Sequence, residues 1–219
     1  MTILQLFSFF SFFLSIFGYQ PDNQLNDPKA KTLLDAVSKT YKGFASISAT
    51  FSIATYSPTQ NKTTTQNGTI YLKGEKYKIE MGKQEIFCDK QSVWTYLKDI
   101  NEVQINDYEA NKEDITPSNM FTIYQNNFNY IMNGEEEVGK NNCAIVDLMP
   151  KDKSKPFFKL RIWVDKGNKY IKRMKVFDKN GNLYTYSVNS FDTKSTIEDS
   201  FFKFETAKHP GVHVEDLRM

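Results

Sequence analysis

Apolar and polar residues alternate with a period of two from Gly68 to Asp107, the pattern of strands that bury one face. Ile70 and Leu72 alternate with Thr69, Tyr71 and Lys73; Tyr77, Ile79 and Met81 alternate with Lys76, Lys78 and Glu80. Val103 and Ile105 alternate with Glu102, Gln104 and Asn106. Trp94 and Tyr96 face one way, and Val93, Thr95 and Leu97 face the other. The breakers between these runs are Lys73-Gly74-Glu75, Met81-Gly82-Lys83, Asp89-Lys90-Gln91 and Lys98-Asp99-Ile100-Asn101, which have the length and composition of hairpin loops. The pattern predicts an antiparallel meander of about five strands, long enough that it must twist and curl. A curled sheet with one apolar face needs something to cover that face.

The flanking chain supplies candidates for the cover. Asp27 reads as an N-cap before Pro28, and Ala30, Leu33, Leu34, Val37 and Tyr41 follow at helical spacing up to Gly43. This amphipathic helix stands directly before a first strand, Phe44 to Tyr56, with Ile47, Ala49, Phe51 and Ile53 on one side. Ser57 to Asn67 reads as a Thr/Asn/Gln loop. After the acidic stretch Tyr108 to Ile115, Thr116-Pro117 repeats the cap-plus-proline device. Met120, Phe121, Ile123, Tyr124 and Phe128 then form a second helical stripe, either adaptable lid or ordinary core. Asn133 to Lys140, with Glu135-Glu136-Glu137, reads as a charged turn. Four further strands follow: Cys143 to Met149, Lys159 to Asp165, Tyr170 to Asp178 and, after an Asn-Gly turn, Leu183 to Phe191. The tail carries Phe201, Phe202, Phe204, a Pro-Gly bend and the alternating Val212 and Val214.

The first residues change the picture of where the chain works. Ile3 to Phe17 is apolar apart from Gln5 and three serines, too short to span a bilayer and suited to the apolar core of a secretory signal. The expectation is a signal peptide over residues 1–18 and a single domain over 19–219; a buried helix and a retained anchor are the alternatives. A formal net charge of +2 lacks the concentrated basic face of a nucleic-acid binder. Cys88 and Cys143 either pair in an oxidising compartment or remain two half-buried thiols. His209 and His213 flank Pro210-Gly211, so no helix places them as metal ligands, and they read as solvent-facing loop histidines. No nucleophile elbow, phosphate loop or dinucleotide fingerprint occurs, and neither catalytic residues nor a cofactor is expected.

Taken in order, these pieces resemble a known family. Cys88-Asp89-Lys90-Gln91-Ser92-Val93-Trp94-Thr95-Tyr96 is similar to its Asp-Gly-Lys-x-x-Trp-x-Tyr hairpin. Thr116-Pro117 opens the central segment, and Phe202-Lys203-Phe204 with Pro210-Gly211-Val212-His213-Val214-Glu215-Asp216 closes the chain. The chain resembles the periplasmic outer-membrane lipoprotein carrier family, LolA, most nearly its Bacteroidetes-type members. The resemblance implies an α+β fold: an unclosed antiparallel β-barrel, a curved half-pipe, with amphipathic helices as a lid over the concave face. It implies a monomeric periplasmic chaperone that takes the acyl chains of lipoproteins from an inner-membrane ABC-type release complex and hands them to an outer-membrane acceptor. An envelope sensor or scaffold on the same fold is the alternative. Left in water, acyl chains cost about 0.8 kcal/mol per methylene, so a carrier must bury them and later release them.

The lining expected of such a cavity is one sheet face: Phe51, Ile53, Ile70, Leu72, Tyr77, Ile79, Met81, Trp94, Tyr96, Leu160, Ile162, Met174 and Val176. The lid is expected from Leu33, Leu34, Val37, Tyr41, Met120, Phe121, Tyr124 and Phe128. Alternation alone does not say which face is concave, because a slip of one residue inverts it. One departure from the resemblance concerns the latch. Proteobacterial members carry an Arg-Pro pair in the turn that reads here Lys73-Gly74-Glu75-Lys76, so Lys73, Lys76 or packing alone must hold the lid.

Overall fold

The computed structural model describes residues 25–108, 116–117, 119–122 and 124–218. The expected signal segment, the acidic stretch after Tyr108 and Ile123 of the apolar stripe lie outside the described residues.

Helix α1 (Pro28–Lys42) leads into strands β1 (Ile47–Ser57), β2 (Lys62–Lys73), β3 (Lys76–Met81), β4 (Gln84–Cys88), β5 (Ser92–Leu97) and β6 (Glu102–Asp107). A four-residue helix α2 (Tyr124–Asn127) precedes β7 (Phe128–Val138), β8 (Asn141–Pro150), β9 (Phe157–Asp165), β10 (Ile171–Asp178), β11 (Leu183–Asp192) and β12 (His213–Asp216). Among the described residues all twelve strands join one sheet in the order β12-β6-β5-β4-β3-β2-β1-β11-β10-β9-β8-β7. Its end strands do not pair with each other, so the barrel is unclosed, as expected of a half-pipe. Neighbours run antiparallel except β12, which lies parallel to β6. β1 is the hinge of the topology, because its two edges join the β2–β6 meander to the β7–β11 meander.

The five meander strands and the four later ones form where alternation placed them. Two segments differ. Ser57 to Asn67 is largely strand: β2 begins at Lys62, and Thr63 and Gln66 pair with Tyr56 and Ile53. Threonine suits the pleated backbone, but with every side chain from Lys62 to Asn67 exposed there is no apolar period to read. Asn133 to Lys140 is likewise the far half of β7, with Glu135, Glu136 and Glu137 opposite Ala144, Cys143 and Asn142. Gly134, at φ 83°, permits the bulge between Met132 and Glu135.

α1 begins and ends as its sequence dictates. The Asp27 carboxylate accepts from the Lys29 backbone N–H at 2.7 Å, and basic Lys39 and Lys42 occupy the last turn. Its buried face is Ala30, Leu34, Val37 and Tyr41. The backbone N–H groups of Asn26 and Asp27 donate to Tyr130 O on β7, at 2.9 and 3.2 Å, and the Ile171 N–H of β10 donates to the Tyr41 hydroxyl at 3.1 Å. The helix is therefore moored at both ends across the same face of the sheet.

The chain after β11 crosses the opposite face. Lys73 and Lys76 both pair with Asp199, at 2.9 and 2.8 Å, and Lys73 also donates to Ile197 O at 2.7 Å. These lysines therefore hold the C-terminal segment and not the lid. Beyond them Phe202 is fully buried, and Phe204 packs with Phe87, Trp94, Tyr96, Val103 and Ile105. His209 stacks on Phe204 at 4.4 Å and approaches Tyr96 at 4.5 Å, so it is a half-buried ring and not the solvent-facing loop residue expected.

Candidate functional site

Strand register settles which side chains share a face. Leu72 lies opposite Tyr77 and Ile47; Ile70 lies opposite Ile79 and Ala49. Phe51 lies opposite Gly68 and Val188, and Ile53 opposite Tyr186. Tyr186 faces Met174, which faces Ile162, which faces Val146; Tyr184, Val176, Leu160 and Leu148 form the parallel row. Eleven of the thirteen expected lining residues therefore lie on one face, the face under α1: Phe51, Ile53, Ile70, Leu72, Tyr77, Ile79, Met81, Leu160, Ile162, Met174 and Val176.

Trp94 and Tyr96 are corrected by the same register. Tyr77 pairs with Cys88 and Cys88 with Val93, whereas Trp94 pairs with Phe87 and Ile105. Val93 thus faces α1, and Trp94 and Tyr96 face the C-terminal segment on the far side. The cause is the period of two: adjacent residues point to opposite faces, and the hairpin Asp89-Lys90-Gln91 places Val93 in line with Tyr77. Trp163, the second tryptophan, is also on the far side, where its indole N–H donates to Glu136 at 2.8 Å. The alternation also left out floor residues that the register supplies: Ile86, Val146, Leu148, Tyr186 and Val188. Cys143 to Met149 is an unbroken apolar run apart from Asp147, so it showed no inward face.

Over this floor sit α1 and the residues before β7. Tyr41 stacks on Phe121 with ring centroids 3.6 Å apart. Tyr124, itself buried, donates to the Asp35 carboxylate at 2.8 Å, and Lys31 pairs with the same carboxylate at 2.7 Å. Burial, and then this hydrogen bond, push the Tyr124 hydroxyl up to about 12. Lys31 and then Tyr124 hold Asp35 below the usual carboxylate range. This contact joins α1 to the segment before β7. The second lid segment is shorter than its stripe suggests. Among the described residues its helix is only Tyr124–Asn127, and Phe128 is the first residue of β7, stacked toward Phe157 at 6.3 Å.

Leu34, Val37, Met120, Phe121 and Tyr124 close against Leu148, Leu160, Ile162, Ile171 and Met174, and leave a void of about 20 Å³. That is room for about one water, so an alkyl chain fits beneath this cover only if the lid moves. Away from the lid, Phe51, Ile53, Ile70, Ile79, Met81 and Val176 stay half-buried, an apolar floor left partly open. Gly68 belongs to this floor. A Cβ there would lie 2.7 Å from the Phe51 ring and 2.8 Å from Glu80 O, so only glycine admits the Phe51 ring.

The cysteines do not pair. Cys88 lies in the core under α1, Cys143 lies beside Trp163 on the far face, and six strands separate β4 from β8. Among the described residues no three His, Cys, Asp or Glu side chains gather as metal ligands, and no helix is long and apolar enough to cross a membrane.

Comparison with known proteins follows from this geometry. No curated protein matches the chain. An uncharacterized conserved protein from Thermus thermophilus aligns in structure with TM-score 0.58 and 13% identity, over 86% of this chain and 99% of that one. Lipoprotein LppX of Mycobacterium tuberculosis aligns with TM-score 0.52 and 9% identity, over 78% and 100%. A LolA superfamily protein from Nitrosomonas europaea gives TM-score 0.46 and 12% identity, over 80% and 97%. At these identities the first two likenesses speak to fold. The family model described as outer membrane lipoprotein carrier protein LolA matches residues 42–205, a span that takes in every strand from β1 to β11 and with them the whole of the apolar floor. By that match, and on the half-pipe the strands build, the chain belongs to the LolA family.

Proposed function

We propose that this protein is a periplasmic carrier that binds the acyl chains of lipoproteins between the floor and the lid. In this reading it receives them from an inner-membrane ABC-type release complex, crosses the periplasm as a monomer and delivers them to an outer-membrane acceptor. The apolar run Ile3 to Phe17 supports export, with residues 1–18 removed. The observation that carries the reading is a continuous one-faced apolar floor, closed under α1 and half-exposed beyond it, whose cover is moored at the ends of α1 and has its two parts joined by a tyrosine–carboxylate latch. An ordinary core would have no floor left half-exposed beside it; a permanently open cavity would expose apolar surface and invite aggregation.

A carrier needs both states close in energy. Closing buries Leu34, Val37 and Tyr41, each side chain contributing about 1.5–3 kcal/mol, and incoming alkyl chains offset that burial as the lid lifts. The test is extraction. Inner-membrane vesicles bearing an acylated protein are incubated with the carrier, and the soluble fraction is assayed. Appearance of the acylated protein as a soluble complex supports carriage. Binding of the acylated protein only while it stays in the vesicle overturns shuttling in favour of an envelope sensor or scaffold.

A further inference from the structure

At the end of the half-pipe where β8 leaves the sheet and β10 turns back, two loops meet. The Lys179 N–H donates to Pro156 O at 2.9 Å, and the Lys179 ammonium donates to Lys153 O. Residues 151–159 and 175–179 carry Lys151, Lys153, Lys155, Lys159, Lys175 and Lys179 against Asp152 and Asp178, and Lys159 also lies 3.9 Å from Asp147. Both carboxylates accept from neutral donors in their own loops, Asp152 from Ser154 and Asp178 from the backbone and side chain of Asn182, each at 2.7–2.8 Å, so in these two segments six cations stand against two anions. The ammonium groups of Lys153 and Lys179 rest on neutral carbonyls, which leaves their charge standing.

In this cationic rim sits a large apolar side chain. Phe158 is 52% exposed, with its ring 6.1 Å from Phe177, and the Lys159 ammonium lies 4.1 Å from the centre of the Phe177 ring. Each outward ring is one residue from an inward one. Phe157 packs into the core toward Phe128, and Val176 belongs to the floor. The rim is thus continuous with the floor through two adjacent strands. All six cations are lysines, compact charges on flexible stems, which suit a fluid array of phosphates better than the fixed forks of bidentate arginine recognition.

We propose that this rim docks on an anionic lipid surface, with the lysines at the headgroup phosphates and Phe158 inserted among the upper acyl carbons. Basic residues near such a surface and an aromatic ring at the headgroup level are the two elements of reversible interfacial binding. Docking there sets one end of the apolar floor against the bilayer. The inference adds to the carrier reading a way of meeting the membrane. Its test uses no acylated cargo, so the two stand or fall separately.

The full chain is mixed with vesicles of phosphatidylethanolamine and phosphatidylglycerol, or of phosphatidylcholine alone, and binding is read by sedimentation and by amide exchange. Expected are binding to the anionic vesicles, its loss in high salt, and slowed exchange in residues 151–159 and 175–182. Lys153→Gln and Lys179→Gln each weaken binding about fivefold. Phe158→Ser weakens it about tenfold. All three variants keep the parent's unfolding midpoint, and the N-terminal residues are the same in every sample. Equal binding to phosphatidylcholine, parental affinity in all three variants, or protection only outside these segments overturns the proposal. Binding to an acidic protein with none to anionic vesicles overturns it in favour of a protein partner.

Discussion

Two residues carry separate parts of the account. Gly68 admits the Phe51 ring to the floor, and Gly68→Ala forces a Cβ into a 2.7 Å approach. The expected loss is about 1–3 kcal/mol, read as a lowered unfolding midpoint, because the second obstacle is the Glu80 backbone oxygen and that does not swing away. An unchanged midpoint would mean that the floor around Phe51 is loosely packed. Tyr124 carries the latch. Tyr124→Phe removes one hydrogen bond to a part-exposed carboxylate, a loss of about 1 kcal/mol, and amide exchange in residues 28–42 quickens while the strands keep their protection. The latch also has a pH window. Tyr124 keeps its proton up to about 12 in the fold against 10.0 unperturbed, so its contribution is whole below pH 10 and lost as pH climbs through 12. Asp35 is depressed from 3.8, so its contribution is whole above that value and fades as pH falls below it. An alkaline titration of α1 exchange that is identical in the parent and in Tyr124→Phe would contradict this assignment.

In the carrier reading the strands hold and α1 moves. Val37 is buried in the middle of α1, and Val37→Asp removes about 2 kcal/mol of burial and adds the desolvation of a carboxylate. The expected outcome is an unprotected α1 over a sheet with unchanged far-ultraviolet strand signal; collapse of the whole fold would make α1 ordinary core. The sheet is expected to survive that change because β1 pairs along its length on both edges, a bonding that does not involve α1. The same contrast explains what was legible in the sequence. Strands whose apolar residues alternate with charged ones, such as Tyr77–Met81, print their period directly. Lys62–Gln66 and Glu135–Glu137 are held by backbone pairing, with exposed side chains that carry no period, so they read as loops. Phe128 fits both a helical stripe and a strand start, and only the β8 partner Pro150 decides it. Register across hairpins was the missing quantity for Trp94 and Tyr96, since a single-residue choice at Asp89-Lys90-Gln91 moves both rings to the other side. The latch was hidden for another reason: Asp35 sits on the polar face of its helix, where a carboxylate usually meets only water.

The whole molecule is a sheet with two differently used faces. One carries α1 and the apolar floor; the other carries the C-terminal segment, which seals Trp94, Tyr96 and Val103 beneath Phe204. Cys88 and Cys143 belong to opposite faces, and burial pushes both thiols up. Reductant is therefore expected to leave the unfolding midpoint unchanged; a fall on reduction would require a disulfide that this arrangement forbids. Because Trp94 and Trp163 both lie away from the floor, tryptophan emission does not report on what the floor binds. Methionine methyl groups do. Met81 and Met174 are on the floor and Met120 is in the lid facing it, whereas Met149, opposite Asn129 on β7, alternates to the far face. The most direct test of acyl binding is a methyl nuclear magnetic resonance titration with a long-chain acylated peptide. The account predicts saturable shifts at Met81, Met120 and Met174 with Met149 unmoved. No shift at the first three, or equal shifts at Met149, would contradict it.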